Sequence, residues 1–189
     1  MNLPNKITTI RLILIPIFIA VFYIDFSYHY LVAAGVFAVA AFTDFLDGYF
    51  ARKYNMVTDL GKFLDANADK VLVLAAVVLF VDAHLLPYIW GGVAVSIIIA
   101  REIMISCLRM IAATKGIVMA ADKLGKIKTF LQDVSICVLL GAFGIFGNDY
   151  SNVMYIIGIV IFGLSVVMTV VSGINYLVVN RKALSGVSK

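Results

Sequence analysis

Residues 44–69 read DFLDGYFARKYNMVTDLGKFLDANAD, and the rest of the chain is organised around them. Asp44, Asp47, Asp65 and Asp69 stand within or beside apolar, helix-forming segments. A carboxylate is expensive at membrane depth, and one kept there marks a functional site. Asp44 and Asp47 are three residues apart and Asp65 and Asp69 are four apart, so each pair shares a face of its helix. The basic turn from Arg52 to Lys62 is short, which makes the two helices antiparallel neighbours with both pairs near the same end. Four carboxylates at close range stay ionised only if cations neutralise them. Oxygen donors of this kind select magnesium, manganese or calcium. Two such ions suit a substrate that carries a pyrophosphate.

Composition sets the context. The chain has 189 residues, 63% of them hydrophobic and 14% charged, with a mean hydropathy of +1.05. A water-soluble domain of this size would not carry so much apolar sequence. The apolar runs lack the alternation of barrel strands, so the expected fold is an all-α integral membrane protein. Six spans use up the length: roughly 10–24, 31–51, 59–81, 88–113, 129–146 and 153–179. Lys6, Thr8, Thr9 and Arg11 give the start of the chain a polar face, expected as a short interfacial helix leading into the first span. No A-x-A site follows that span promptly, so it is expected to be retained and not cleaved as a signal peptide. Residues 1–189 are expected to form a single transmembrane catalytic domain. Cys107 and Cys137 both fall inside spans and read as buried, reduced thiols.

The net charge is +4, and its placement carries more information than its size. Lysine and arginine gather at the N-terminus, in the 52–62 turn, in the 114–128 loop and in the tail. The breaks at 25–30, 82–87 and 147–152 hold none. The positive-inside rule then puts both termini and the aspartate end in the cytoplasm. Basic residues confined to short loops between spans do not make a nucleic-acid surface. Arg101, Glu102, Arg109 and Asp133 fall from mid-membrane towards the same side, which describes a polar cavity open to the cytoplasm. Gly48, Ala51 and Gly61 allow close backbone approach or leave room for a ligand. Arg52 can aim a permanently charged fork at a phosphate or a base edge. A divalent-cation transporter would need polar groups on both sides of the midplane, and the outer halves are apolar. A metal-stapled scaffold leaves the deep arginines unexplained.

The spacing Asp44-x-x-Asp47-Gly48-x-x-Ala51-Arg52, eight further residues, then Gly61-x-x-x-Asp65-x-x-x-Asp69 resembles the signature of the CDP-alcohol phosphotransferases. All eight signature residues match in type and spacing. The resemblance implies six helices, a cytoplasmic site at a bacterial-type inner membrane, and a homodimer. It implies two divalent cations, Mg²⁺ or Mn²⁺, held by Asp44, Asp47 and Asp65, with Asp69 as the general base that also touches one metal. It places Thr8, Thr9, Gly48, Ala51, Arg52, Thr58 and Gly61 at the CDP-lipid. Where many relatives have Pro-Leu-Ala between the last two aspartates, this chain has Ala66-Asn67-Ala68, which alters local helix geometry but not the aspartate spacing.

The later spans carry Arg101-Glu102-Ile103-x-Ile105-Ser106-x-Leu108-Arg109, then Gly125-Lys126-Ile127-Lys128-Thr129 and Gln132. These are most similar to family members that use glycerol 3-phosphate as the acceptor and CDP-diacylglycerol as the donor. A phosphorylated acceptor needs cations, and Arg101, Arg109, Lys126 and Lys128 supply them. Each has a structural alternative. Arg101 has Glu102 or Asp133 as an ion-pair partner, Arg109 can snorkel, and the two lysines can serve topology alone. Other acceptors within the family are serine, an inositol phosphate and phosphatidylglycerol.

Overall fold

A computed structural model describes residues 3–54, 59–114 and 123–181, and the side chains in those ranges except at 3–8, 44–54, 59–67 and 69. The described residues form six helices and no strand. These are α1 (Leu3–Tyr23), α2 (His29–Tyr54), α3 (Asp59–Asp82), α4 (Tyr88–Thr114), α5 (Lys123–Phe146) and α6 (Val153–Val179). α4, α5 and α6 are long and apolar enough to cross a membrane, and Thr9–Tyr23 and His29–Thr43 are shorter apolar stretches. The expected interfacial helix is not a separate element. α1 runs unbroken from Leu3 through Pro16 to Tyr23, and Pro4 lies in its first turn, where a missing N–H costs nothing.

α6 shows why this is a membrane protein. Its outward face carries Ile156, Val160, Leu164, Val167, Val171 and Ile174, all exposed, whereas Ser165, Thr169 and Ser172 are fully buried. Water would invert that arrangement. The buried hydroxyls are satisfied within their own helix. Ser165, Thr169 and Ser172 donate to the carbonyls of Phe162, Ser165 and Thr169 at 2.7, 2.7 and 3.1 Å. Cys137 is partly buried, but Cys107 lies exposed on α4 instead of buried as expected.

α1 packs on α2 and α3, α5 on α6 and α2, and α4 on α6 and α3. Glycines let α5 approach its neighbours closely. A Cβ on Gly158 would stand 2.7 Å from Leu139, and one on Gly144 would stand 2.6 Å from the backbone nitrogen of Leu31. At one end of the bundle, Phe18, Phe22, Tyr30, Phe37, Phe80, Phe143 and Tyr155 form a continuous aromatic cluster. The three lysine- and arginine-free breaks turn tightly there, each through a residue with positive φ: Tyr28, His84 and Gly147.

Candidate active site

Ring contacts set the register of the first three helices. Phe18 of α1 meets Phe37 of α2 with centroids 5.8 Å apart, and Phe22 meets Tyr30 at 5.2 Å. Phe22 also stacks on Phe80 of α3 at 6.4 Å. Tyr30 lies near the start of α2 and Phe80 near the end of α3, and only residues 55–58 join the two helices. α2 is therefore antiparallel to both α1 and α3. Asp44 lies fourteen residues beyond Tyr30, and Asp65 lies fifteen before Phe80. At about 1.5 Å per residue, both sit roughly 20 Å below the ring cluster, at the same depth.

The buried stripes run to the same positions. On α2 the fully buried residues are Ala33, Phe37 and Ala40, and the next steps of four and three reach Asp44 and Asp47. On α3 they are Phe80, Val77, Ala76 and Leu72, with Ala68 also fully buried, and steps of three and four back from Leu72 reach Asp69 and Asp65. The two aspartate pairs thus occupy matched register positions on adjacent helices. Oxygen donors at one depth on two neighbouring helices fit a hard divalent cation. The side chains of these aspartates lie outside the described residues, as do those of Thr8, Gly48, Ala51, Arg52 and Gly61 and the whole of Thr58. Thr9 is described, and is partly buried on α1.

A second charged centre joins α4, α5 and α6. Oε1 of Glu102 accepts from Arg101 Nη1 at 2.9 Å and from Lys128 Nζ at 2.8 Å. Arg101 Nη2 donates to Ser172 Oγ at 3.0 Å. Gly125 leaves room for this fork, since a Cβ there would stand 3.3 Å from Arg101 Nη2. Lys128 is 2% exposed and Glu102 9%. Among the described residues, two cations share this one carboxylate oxygen in a low-dielectric interior. One turn beyond Lys128, Gln132 is fully buried, and among the described residues neither end of its amide has a partner; nor has Arg101 Nε. Buried polar atoms of this kind are expensive unless a ligand or water completes them.

Two further contacts extend this centre. Lys70, next in sequence to Asp69, donates to Ser106 Oγ at 2.6 Å, and Ser106 in turn donates to the Glu102 carbonyl at 2.7 Å. The α3 aspartate segment is thereby tied to α4 beside Glu102. Arg109, two turns along α4 from Arg101, donates from Nε to Tyr176 Oη at 3.2 Å, and its guanidinium lies 5.5 Å from the centroid of that ring.

Of the four cations expected at the acceptor, Arg101 and Lys128 meet at Glu102. Arg109 stands exposed two turns away, and Lys126 is exposed and makes no part of the cluster. The Arg101–Glu102 pair that the sequence left as an alternative is present. Ser172, Tyr176 and Lys70 were not legible as site residues. Ser172 and Tyr176 lie in an apolar span some seventy residues from their partners, and Lys70 reads as an ordinary charge beside a motif. A wide cup of about 680 Å³ opens at the opposite end, lined by Asp25, His29, Tyr30, Phe143 and Asn148 among others, far from both charged centres.

A model of CDP-alcohol phosphatidyltransferase matches residues 1–171. The chain belongs to that family. A Bacillus subtilis protein named CDP-diacylglycerol–glycerol-3-phosphate 3-phosphatidyltransferase is 40% identical over 97% of each chain. Proteins of the same name from Rickettsia bellii and Salmonella typhimurium are 36% and 41% identical over 93% of each chain. Membership makes the chain a transferase.

Proposed function

We propose that this protein transfers the phosphatidyl group of CDP-diacylglycerol to glycerol 3-phosphate, giving phosphatidylglycerophosphate and CMP. The observation that carries the choice of acceptor is the buried cationic centre at Arg101 and Lys128. Two buried cations on one carboxylate oxygen, one turn from the buried Gln132 amide, suit a small phosphorylated alcohol. The names of relatives that match almost end to end point the same way.

In this reading Asp44, Asp47, Asp65 and Asp69 would hold two divalent cations, Mg²⁺ or Mn²⁺, and the ions would supply charge stabilisation to the pyrophosphate and the departing CMP. Asp69 takes the proton of the acceptor hydroxyl as its oxygen attacks the lipid-side phosphorus. The bond from that phosphorus to the bridging oxygen breaks, and the oxygen leaves with CMP. Thr8, Thr9, Gly48, Ala51, Arg52, Thr58 and Gly61 bind the CDP-lipid. Arg101, Arg109 and Lys128 hold the acceptor phosphate, with Glu102 and Ser172 fixing the Arg101 fork, and Lys126 adds only long-range attraction from the helix surface. Lys70, anchored on Ser106, keeps the base-bearing turn of α3 against α4.

Residues 1–189 act as one catalytic domain. The charge distribution supports both termini and the site on the cytoplasmic side of a bacterial inner membrane, and family resemblance supports a homodimer. The test is CMP release from CDP-diacylglycerol by purified protein with Mg²⁺ or Mn²⁺ and one acceptor at a time. Release with glycerol 3-phosphate and not with serine, inositol 1-phosphate or phosphatidylglycerol is expected. Release with another of these alcohols would keep the family and discard the acceptor.

A further inference from the structure

Arg11 is fully buried, although by sequence it reads only as part of the basic N-terminus. It continues the inward stripe of α1, which runs back from Phe22 through Phe18 and Ile15, all buried. A permanently charged guanidinium in such a place costs several kcal/mol unless a carboxylate compensates it. The register says which carboxylates stand at its depth. Arg11 is seven residues before Phe18, and seven beyond Phe37 on the antiparallel α2 is Asp44. Arg11 is also eleven residues before Phe22, and eleven before Phe80 on the parallel α3 is Asp69.

The other acids are placed elsewhere. α1 itself contains none, and among the described residues it packs on α2 and α3 alone. Glu102 and Asp133 belong to α4 and α5, which do not pack on α1. On α2 the only acids are Asp44 and Asp47. On α3, Asp82 lies at the opposite end, where it accepts from Tyr23 Oη at 2.8 Å, and Asp59 lies at the first residue of the helix.

We infer that Arg11 is the built-in counter-ion of the aspartate site, a positioning residue whose guanidinium offsets carboxylate charge at Asp44 or Asp69 and holds that carboxylate in place. The inference rests on the reading that the four aspartates form one cluster. It explains how so much negative charge is kept in the bundle before any cation or substrate arrives.

A double-mutant cycle on the full chain, purified in detergent and stripped of metal, tests it through thermal unfolding. Arg11→Met should lower the midpoint by about 10 °C, the order expected when a buried charge loses its partner. Arg11→Lys, which keeps a charge, should lose less than half of that. Adding Asp44→Asn or Asp69→Asn to Arg11→Met should recover at least half of the loss, because the carboxylate left uncompensated is gone. Strict additivity with both aspartates would overturn the inference. If Arg11→Met yields no folded protein, the same comparison is made on folded yield, and recovery in neither double variant overturns it. Mn²⁺ added to the unchanged chain tests the metal reading separately. No rise in its midpoint removes that reading, while the cycle still decides on Arg11.

Discussion

At the α2–α3 end the charge is acidic and comes from one continuous stretch, whereas the centre on α4, α5 and α6 is basic and drawn from residues 26 and 71 positions apart. The acidic end holds four carboxylates whose spacing already states which faces they share. The basic centre holds two cations on one carboxylate oxygen, and nothing in the local spacing of Arg101, Lys128 and Ser172 announces that they meet. Divalent cations suit the first, and a phosphate suits the second. In the proposed reaction one end holds the leaving nucleotide and the other holds the incoming alcohol, with Lys70 and Ser106 linking the two.

The largest expected effect belongs to the acidic end. Asp69→Asn should lower turnover by about 10³-fold, within the range for losing a general base, while CDP-diacylglycerol still binds. Single-turnover assay with a binding measurement checks this, and normal turnover in the variant would remove the base assignment.

The basic centre should fail differently, through stability as well as rate. Glu102→Gln leaves Arg101 and Lys128 buried without their shared carboxylate. The expected loss is about 3 kcal/mol of stability, seen as a lower unfolding midpoint in detergent. If the variant unfolds where the parent does, the shared carboxylate is not what holds the two cations.

Two smaller effects sharpen the division of labour. Arg109→Ala should raise the KM for glycerol 3-phosphate about tenfold, the size of a lost charge-assisted hydrogen bond, and should raise the KM for the lipid less. Equal changes in both would move Arg109 out of the acceptor site. Gly144→Ala, at the apolar end, should cost about 1–3 kcal/mol by overpacking against the backbone of Leu31. The acceptor KM should be unchanged in the protein that remains folded. A change there would mean that the aromatic end communicates with the site.

The smallest effect is expected at Lys126. It is exposed and stands apart from the Glu102 cluster, so Lys126→Ala should change kcat/KM by about twofold or less, as surface charges do. Lys128→Ala, two residues away and buried, should cost far more. A large effect at Lys126 in a steady-state assay would place the acceptor phosphate nearer the helix surface than Arg101.

Much of the fold was legible because a bilayer imposes a simple rule. Apolar runs of helical length must span, and lysine and arginine gather in alternate loops, so six helices and their breaks follow from counting. The start of α1, expected as an interfacial helix leading into the first span, is continuous with that span. Thr8, Thr9 and Arg11 look like a polar surface, yet Arg11 is buried and the helix has no break at that point. Cys107 was placed inside by its span, but a span has a lipid-facing side, and only packing decides which residues occupy it.

By itself, the sequence determined the helical membrane class, the number of helices, and the two aspartate pairs with their glycine, alanine and arginine neighbours. Those features are local, fixed by hydropathy and by the 3.6-residue repeat within one or two helices. Only the tertiary structure decided that Arg101 and Lys128 share Glu102, that Ser172 and Tyr176 serve the two arginines of α4, and that Arg11 lies buried at the end of the bundle that carries Asp44 and Asp69. Those depend on which helices touch and at what register. That register is set by Phe18, Phe22, Phe37 and Phe80 packing at the far end, and no local periodicity encodes it.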